Sequence, residues 1–198
     1  MLKPISRKTN KALLTKLLAG IGGLLAAAIS LGYSLYEKRQ AEIIPQVAIA
    51  TPVDAGRWKV SLNGGVTGGE MPNGSHITPG KQAIAIDMVL ENLSVESANS
   101  YRHLIKLQNI PDAPMPQFYL MRDKDILWDM QPMMPEVVKA VWQVPADLSL
   151  PKELRVMVEG ETFKPRDNLY AAPGWFPSGS VAQVALPLAP APAAEARP

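Results

Sequence analysis

The chain has 198 residues, no cysteine and a formal net charge of +2. That composition excludes disulfide staples, thiolate nucleophiles and thiolate metal sites, and it leaves room for one domain with an appended segment. The charge is uneven: Lys3, Arg7, Lys8, Lys11 and Lys16 stand without an acid in residues 1–16, whereas from Pro45 onward 13 basic residues face 16 acidic ones, a net of −3. This remainder lacks the positive field that a nucleic-acid partner requires, so none is expected.

After the basic segment 1–16 comes LLAGIGGLLAAAISLGYSLY, residues 17–36, without a single charge. Twenty helical residues rise about 30 Å, the thickness of a bilayer's hydrocarbon core. Six leucines and two isoleucines together favour insertion by about 4 kcal/mol. Tyr33 and Tyr36 fall where aromatic rings favour the headgroup layer. Basic residues precede the run more densely than they follow it, which predicts a cytoplasmic amino end and an outer carboxyl-terminal domain, the topology of a single-pass membrane protein. A cleavable signal peptide with Ala26, Ala27 and Ala28 near its cleavage site is the rival reading. The run continues well past those alanines, and the basic region is long. Both points favour a retained anchor.

Ala19, Gly23, Ala27, Ser30 and Ser34 recur at spacings of four, four, three and four, a stripe of small residues on one helical face. Such a stripe lets a second helix approach closely, whether from another membrane protein or from a second copy of the chain. A single-pass anchor filled with Ala and Gly would look the same.

Residues 37–55 read as a stalk, interrupted by Pro45 and Pro52. From 56 to 188 the pattern turns to period two, the signature of strands. Trp58, Val60 and Leu62 alternate with polar residues, as do Ile84, Ile86, Met88 and Leu90. The same holds for Val138, Ala140, Trp142 and Val144, for Leu154, Val156 and Val158, and for Ala182, Val184, Leu186 and Leu188. FYLMRDKDILWD predicts a hairpin turning at Arg122–Asp125, and YRHLIKL a further strand. Seven or eight strands without a crossover helix predict an all-β fold, an antiparallel sandwich of immunoglobulin-like type preceded by the single transmembrane helix. Its expected core is Trp58, Ile84, Ile86, Met88, Leu90, Trp142, Val144, Val156, Val158 and Val184. Residues 189–198, rich in Pro and Ala, read as a disordered tail.

Two stretches carry a resemblance. ITPGKQAIAIDMVLENLS, residues 77–94, ends an alternating strand in Asn92 and Ser94. VKAVWQVPADLSLPKELRVMV, residues 138–158, places Trp142, Val144, Pro145, Leu154 and Val156 in two later strands. Both resemble a bacterial immunoglobulin-like accessory domain family, membrane-anchored, extracellular or periplasmic, and mostly of unassigned function. The resemblance implies a fold and a location outside the cytoplasmic membrane. It implies no enzyme.

No chemical motif stands out. The glycine-rich stretch 63–82 has five residues between Gly74 and Gly80, and Gln82 follows Lys81, so it departs from a phosphate loop. His76 and His103 have no second ligand at metal spacing. Asp123, Asp125 and Asp129 lack the glycine and terminal glutamate of a calcium loop. No catalytic residue and no cofactor is expected. Met130, Met133 and Met134 in DMQPMMPE offer soft thioethers, the one metal alternative, a Cu(I) carrier site. The same methionines, with Trp128 and with Trp175 and Phe176 of YAAPGWFP, fit an interaction surface on loops, since protein contacts favour Trp and Met anchors. The function expected is that of a non-enzymatic anchored accessory protein. Its partners are membrane lipid and a larger membrane or envelope assembly. The alternative is a periplasmic Cu(I) or small-ligand carrier.

Overall fold

The computed structural model describes residues 23–34, 36, 43–68, 71–169 and 171–190. The chain divides into two compact units, one through Ile43 and one from Ile44. In the first, residues 23–34 and 36 are helical and exposed. Among the described residues no helix is long and apolar enough to cross a membrane. Residues 17–22 and 35 of the uncharged run, with Ala19 of its small-residue stripe, lie outside the described residues, as do the basic segment and residues 191–198.

Among the described residues the second unit has ten strands: β1 Gln46–Val47, β2 Val53–Asp54, β3 Trp58–Thr67, β4 Lys81–Asn92, β5 Ile105–Leu107, β6 Gln117–Leu120, β7 Asp125–Ile126, β8 Glu136–Pro145, β9 Glu153–Lys164 and β10 Gly174–Pro190. One sheet runs β1-β10-β9-β5 and the other β3-β4-β8-β6-β7, with β2 paired to β3. The end of β10 leaves the first sheet and joins the second, where Leu188, Ala189 and Pro190 pair in parallel with Gly65, Val66 and Thr67.

Inward faces of both sheets meet in one core. Trp58, Val60 and Leu62 of β3, Ile84, Ile86, Met88 and Leu90 of β4 and Val138, Ala140, Trp142 and Val144 of β8 pack with Leu154, Val156 and Val158 of β9 and with Ala182, Val184 and Leu186 of β10. This is a β-sandwich, and all ten expected core residues are in it. Alternation works because successive strand side chains point to opposite faces. Each large apolar side chain so buried contributes about 1.5–3 kcal/mol.

Part of the outer face of the second sheet is covered as well. Met71, from the glycine-rich connection between β3 and β4, packs on Ala83, Ala85, Tyr119 and Val141, with Val66, Ile77 and Ile126 at its margin. Small alanines at 83 and 85 leave room for the flap.

Four expectations are corrected. Residues 44–55 are not a stalk apart from the domain: β1 and β2 are strands of the sandwich, and Val53 and Ala55 are buried in its core. YRHLIKL is a 3-10 turn, Ser100–His103, before the short β5, because Tyr101, Leu104 and Ile105 all turn inward and break the alternation. Ala189 and Pro190 belong to β10 rather than to a tail. Trp175 and Phe176 of YAAPGWFP, expected on a loop, stand in the first half of β10; the strand continues through Pro177 and Gly179 because register shifts leave Ser178 and Val181 unpaired as bulges.

Trp58 opens β3 opposite Asn92, the last residue of β4, and Glu136 opens β8 opposite Leu90. The Glu161 amide donates to the Ala55 carbonyl at 2.8 Å. The connections 93–99 and 127–135 and the far part of the β9–β10 ribbon therefore share one end of the sandwich.

Candidate interaction surface

Asn92 is fully buried at the strand end, and its side chain organises that end. Its Nδ2 donates to the Glu96 carbonyl at 2.7 Å and to the Met130 carbonyl at 3.0 Å. Its Oδ1 accepts from the Ser94 amide at 3.0 Å and from the Ser94 hydroxyl at 2.7 Å. Ala98 and Met130 exchange backbone hydrogen bonds of 3.1 and 2.8 Å, and the Met133 amide donates to the Asn92 carbonyl at 2.7 Å. Tyr101 buries its ring edge-on to Trp58 and Phe118 and donates its hydroxyl to the Leu127 carbonyl at 2.6 Å, with the Trp128 carbonyl at 3.0 Å. Burial pushes the Tyr101 hydroxyl above its ordinary pKa, against the opposing pull of Arg102.

The segment 127–135 is thus an irregular loop fastened at both ends and in the middle. It turns Met130 into the core and leaves Trp128, Met133 and Met134 outside, 68%, 64% and 50% exposed. Met133 holds a positive φ of 57°, a conformation that costs a β-carbon-bearing residue roughly 1–2 kcal/mol. Neighbouring Val95 is also exposed. The three thioethers of the alternative Cu(I) site do not all reach solvent, because Met130 belongs to the core. Among the described residues no group of three His, Asp or Glu is placed to hold a metal ion.

Trp175 and Phe176 stand on β10 and not on a loop. Trp175 packs on Phe163 at a ring separation of 5.5 Å, and the Arg57 guanidinium lies 5.9 Å from its centroid and 5.9 Å from that of Trp58. On the other face of the ribbon Lys164 Nζ sits 4.9 Å from the Phe176 ring.

Sequence reasoning missed a groove of about 210 Å³ between the 3-10 turn and β9, lined by Trp58, Ser100, His103, Lys106, Glu159 and Glu161 among others. Serine, histidine and glutamate meet there, yet not in the order nucleophilic catalysis needs. Ser100 Oγ accepts from Trp58 Nε1 at 3.1 Å and donates directly to Glu161 Oε2 at 3.1 Å, leaving no imidazole between hydroxyl and carboxylate. Glu159 is held by Lys106 at 3.4 Å and by the Ser180 hydroxyl at 2.8 Å. The groups satisfy one another and tie the 3-10 turn to β9. Asp123, one of the three aspartates weighed for calcium, pairs instead with Arg122 at 3.1 Å.

No protein-family profile and no curated protein sequence matches the chain. Among solved structures the chain is similar to an uncharacterized β-sandwich protein from Clostridium difficile 630, at 11% identity and a TM-score of 0.48, over 73% of this chain and 94% of that one.

Proposed function

We propose that the chain is a non-enzymatic accessory protein, anchored by residues 17–36 in the bacterial cytoplasmic membrane, with a cytoplasmic amino terminus and the β-sandwich on the periplasmic side. It docks on a larger membrane or envelope assembly through Trp128, Met133 and Met134. The observation that carries this reading is the fastened loop: large apolar side chains held out from a hydrogen-bonded frame, one of them on a strained backbone. A rigid loop loses little entropy when it meets a partner, and strain persisting at an exposed residue points to selection for what the side chain touches. Gly23, Ala27, Ser30 and Ser34 fall in the described helix and give the anchor a smooth face for a partner helix or a second copy. Kinship with the immunoglobulin-like family fits the Asn92–Ser94 strand ending, where both polar side chains are buried and bonded.

A photo-crosslinking side chain at position 128 of the full chain, activated in intact membranes, tests this. A discrete adduct is expected from position 128 and none from position 147, in the turn after β8 at the other end of the sandwich. Equal labelling at the two positions, with the protein in the membrane, overturns the docking surface.

A further inference from the structure

The β9–β10 ribbon runs on past the sandwich. Among the described residues Thr162–Lys164 pair with no strand but β10, and Gly174–Phe176 with no strand but β9. Aromatic rings occupy both faces, each with a cation against it: Trp175 with Arg57, and Phe176 with Lys164. Beyond them Leu169 is 77% and Phe163 48% exposed, and Lys164 and Arg166 are exposed beside them. A ribbon this thin has no core in which to hide these groups. Aromatic rings, a leucine and two cations together are the composition of a surface that settles among lipid headgroups.

Chain direction agrees. β1 runs parallel to β10, with Gln46 opposite Gln183, so the polypeptide enters the sandwich heading away from the ribbon tip. Trp175 lies eight residues back along β10 from Gln183, about 26 Å of strand. Eight residues lie between Tyr36 and Pro45, so the two are nine steps of chain apart and at most about 30 Å when extended. The tether is long enough for the tip to reach the plane where the uncharged run ends.

We propose that the ribbon tip, with Phe163, Lys164, Arg166, Leu169, Trp175 and Phe176, rests in the headgroup layer of an anionic bilayer. The inference rests on the anchor proposed above. It would hold the Trp128 loop, at the same end of the sandwich, beside the membrane surface.

The test uses the full chain in phosphatidylglycerol–phosphatidylcholine vesicles whose acyl chains carry bromine near the headgroup. Trp128→Phe removes the most exposed indole, leaving Trp58 and Trp142 in the core and Trp175 on the ribbon. Bromination is expected to lower the indole emission by up to about a third, one ring of the three remaining, if Trp175 sits at the interface. Adding Trp175→Phe should abolish the loss. Lys164→Gln with Arg166→Gln should remove the excess of quenching in anionic over purely zwitterionic vesicles. Carbonate-resistant protein with unquenched emission overturns the inference alone. Protein that carbonate extracts overturns the anchor and the inference with it. Emission that responds only when a membrane partner is added reassigns the tip to a protein contact and overturns the lipid reading.

Discussion

Asn92 Nδ2 donates to the Met130 carbonyl across 38 residues of chain, and this contact decides which way the methionine loop faces. With the amide also bonded to Glu96 and the carbonyl oxygen to Ser94, all the described polar capacity of a fully buried side chain is spent on two loops. Asn92→Leu takes one donor from the Met130 and Glu96 carbonyls, which keep the Ala98 amide and the Ser94 hydroxyl, and leaves the buried Ser94 amide without its acceptor; it should cost about 3 kcal/mol. That corresponds to a fall of roughly 6–12 °C in the thermal midpoint of a domain this size. Asn92→Asp should be milder in acid. Its protonated carboxyl can still donate one bond, whereas the carboxylate faces two carbonyl oxygens, so its folded pKa lies above the unfolded value of about 3.9. Stability is then lost as pH rises from that value through the folded pKa. Thermal melts at pH 4 and pH 7 check the sign.

Tyr101 secures the other side of the same loop. Tyr101→Phe keeps both edge-on ring contacts but removes the donor to Leu127 and Trp128, and should cost about 1–1.5 kcal/mol. Because burial raises the Tyr101 pKa in the folded protein, the unfolded chain ionises first in base. The domain therefore loses stability as pH climbs past the unfolded value near 10. Tyr119, also raised by burial, acts in the same sense. Denaturant melts between pH 8 and pH 11 should show a shallower alkaline decline in Tyr101→Phe, with a residual slope from Tyr119. An unchanged slope would count against Tyr101 as a contributor.

Why some of this could be read from the sequence, and some not, is a matter of period. Strands β3, β4, β8 and β9 announce themselves because burial on one face writes alternation into the chain, and their inward residues follow at once. Nothing local distinguishes Met130 from Met133, since an irregular loop has no period and its facing is set by Asn92, far away in sequence. Tyr101 is hidden for the same reason: a single 3-10 turn places it under Trp58 and Phe118 without a repeating pattern. Trp175 and Phe176 were obscured by Pro177 and Gly179, which punctuate most strands but here flank a bulge. The Met71 flap was illegible because its partners, Tyr119 and Val141, come from two other strands.

Gly56 provides a test of how the ribbon is joined to the sandwich. It sits at φ +83°, and a β-carbon there would run into the Glu161 carbonyl oxygen, which is backbone and cannot swing aside. Gly56→Ala combines left-handed strain with a backbone collision and should cost roughly 3 kcal/mol. Its neighbours Ala55, which accepts from Glu161, and Arg57, which faces Trp175, would move with it. Thermal melts should show the loss, and hydrogen exchange should show faster opening of the Glu161 amide than of the amides in β4.

Met133 separates stability from recognition. Its side chain is largely in water, so removing it forfeits little packing, while its positive φ is a conformation that glycine enters freely. Met133→Gly should therefore leave the folded domain unchanged or more stable by up to about 1 kcal/mol. If the exposed methionine is an anchor for a partner, the same substitution should weaken the crosslink from position 128 severalfold in intact membranes. Met133→Ala removes the side chain but keeps the backbone strain, so it should weaken the crosslink equally without the gain in stability. A variant that is stabilised yet crosslinks as strongly as the parent would make Met133 a turn residue with no part in binding.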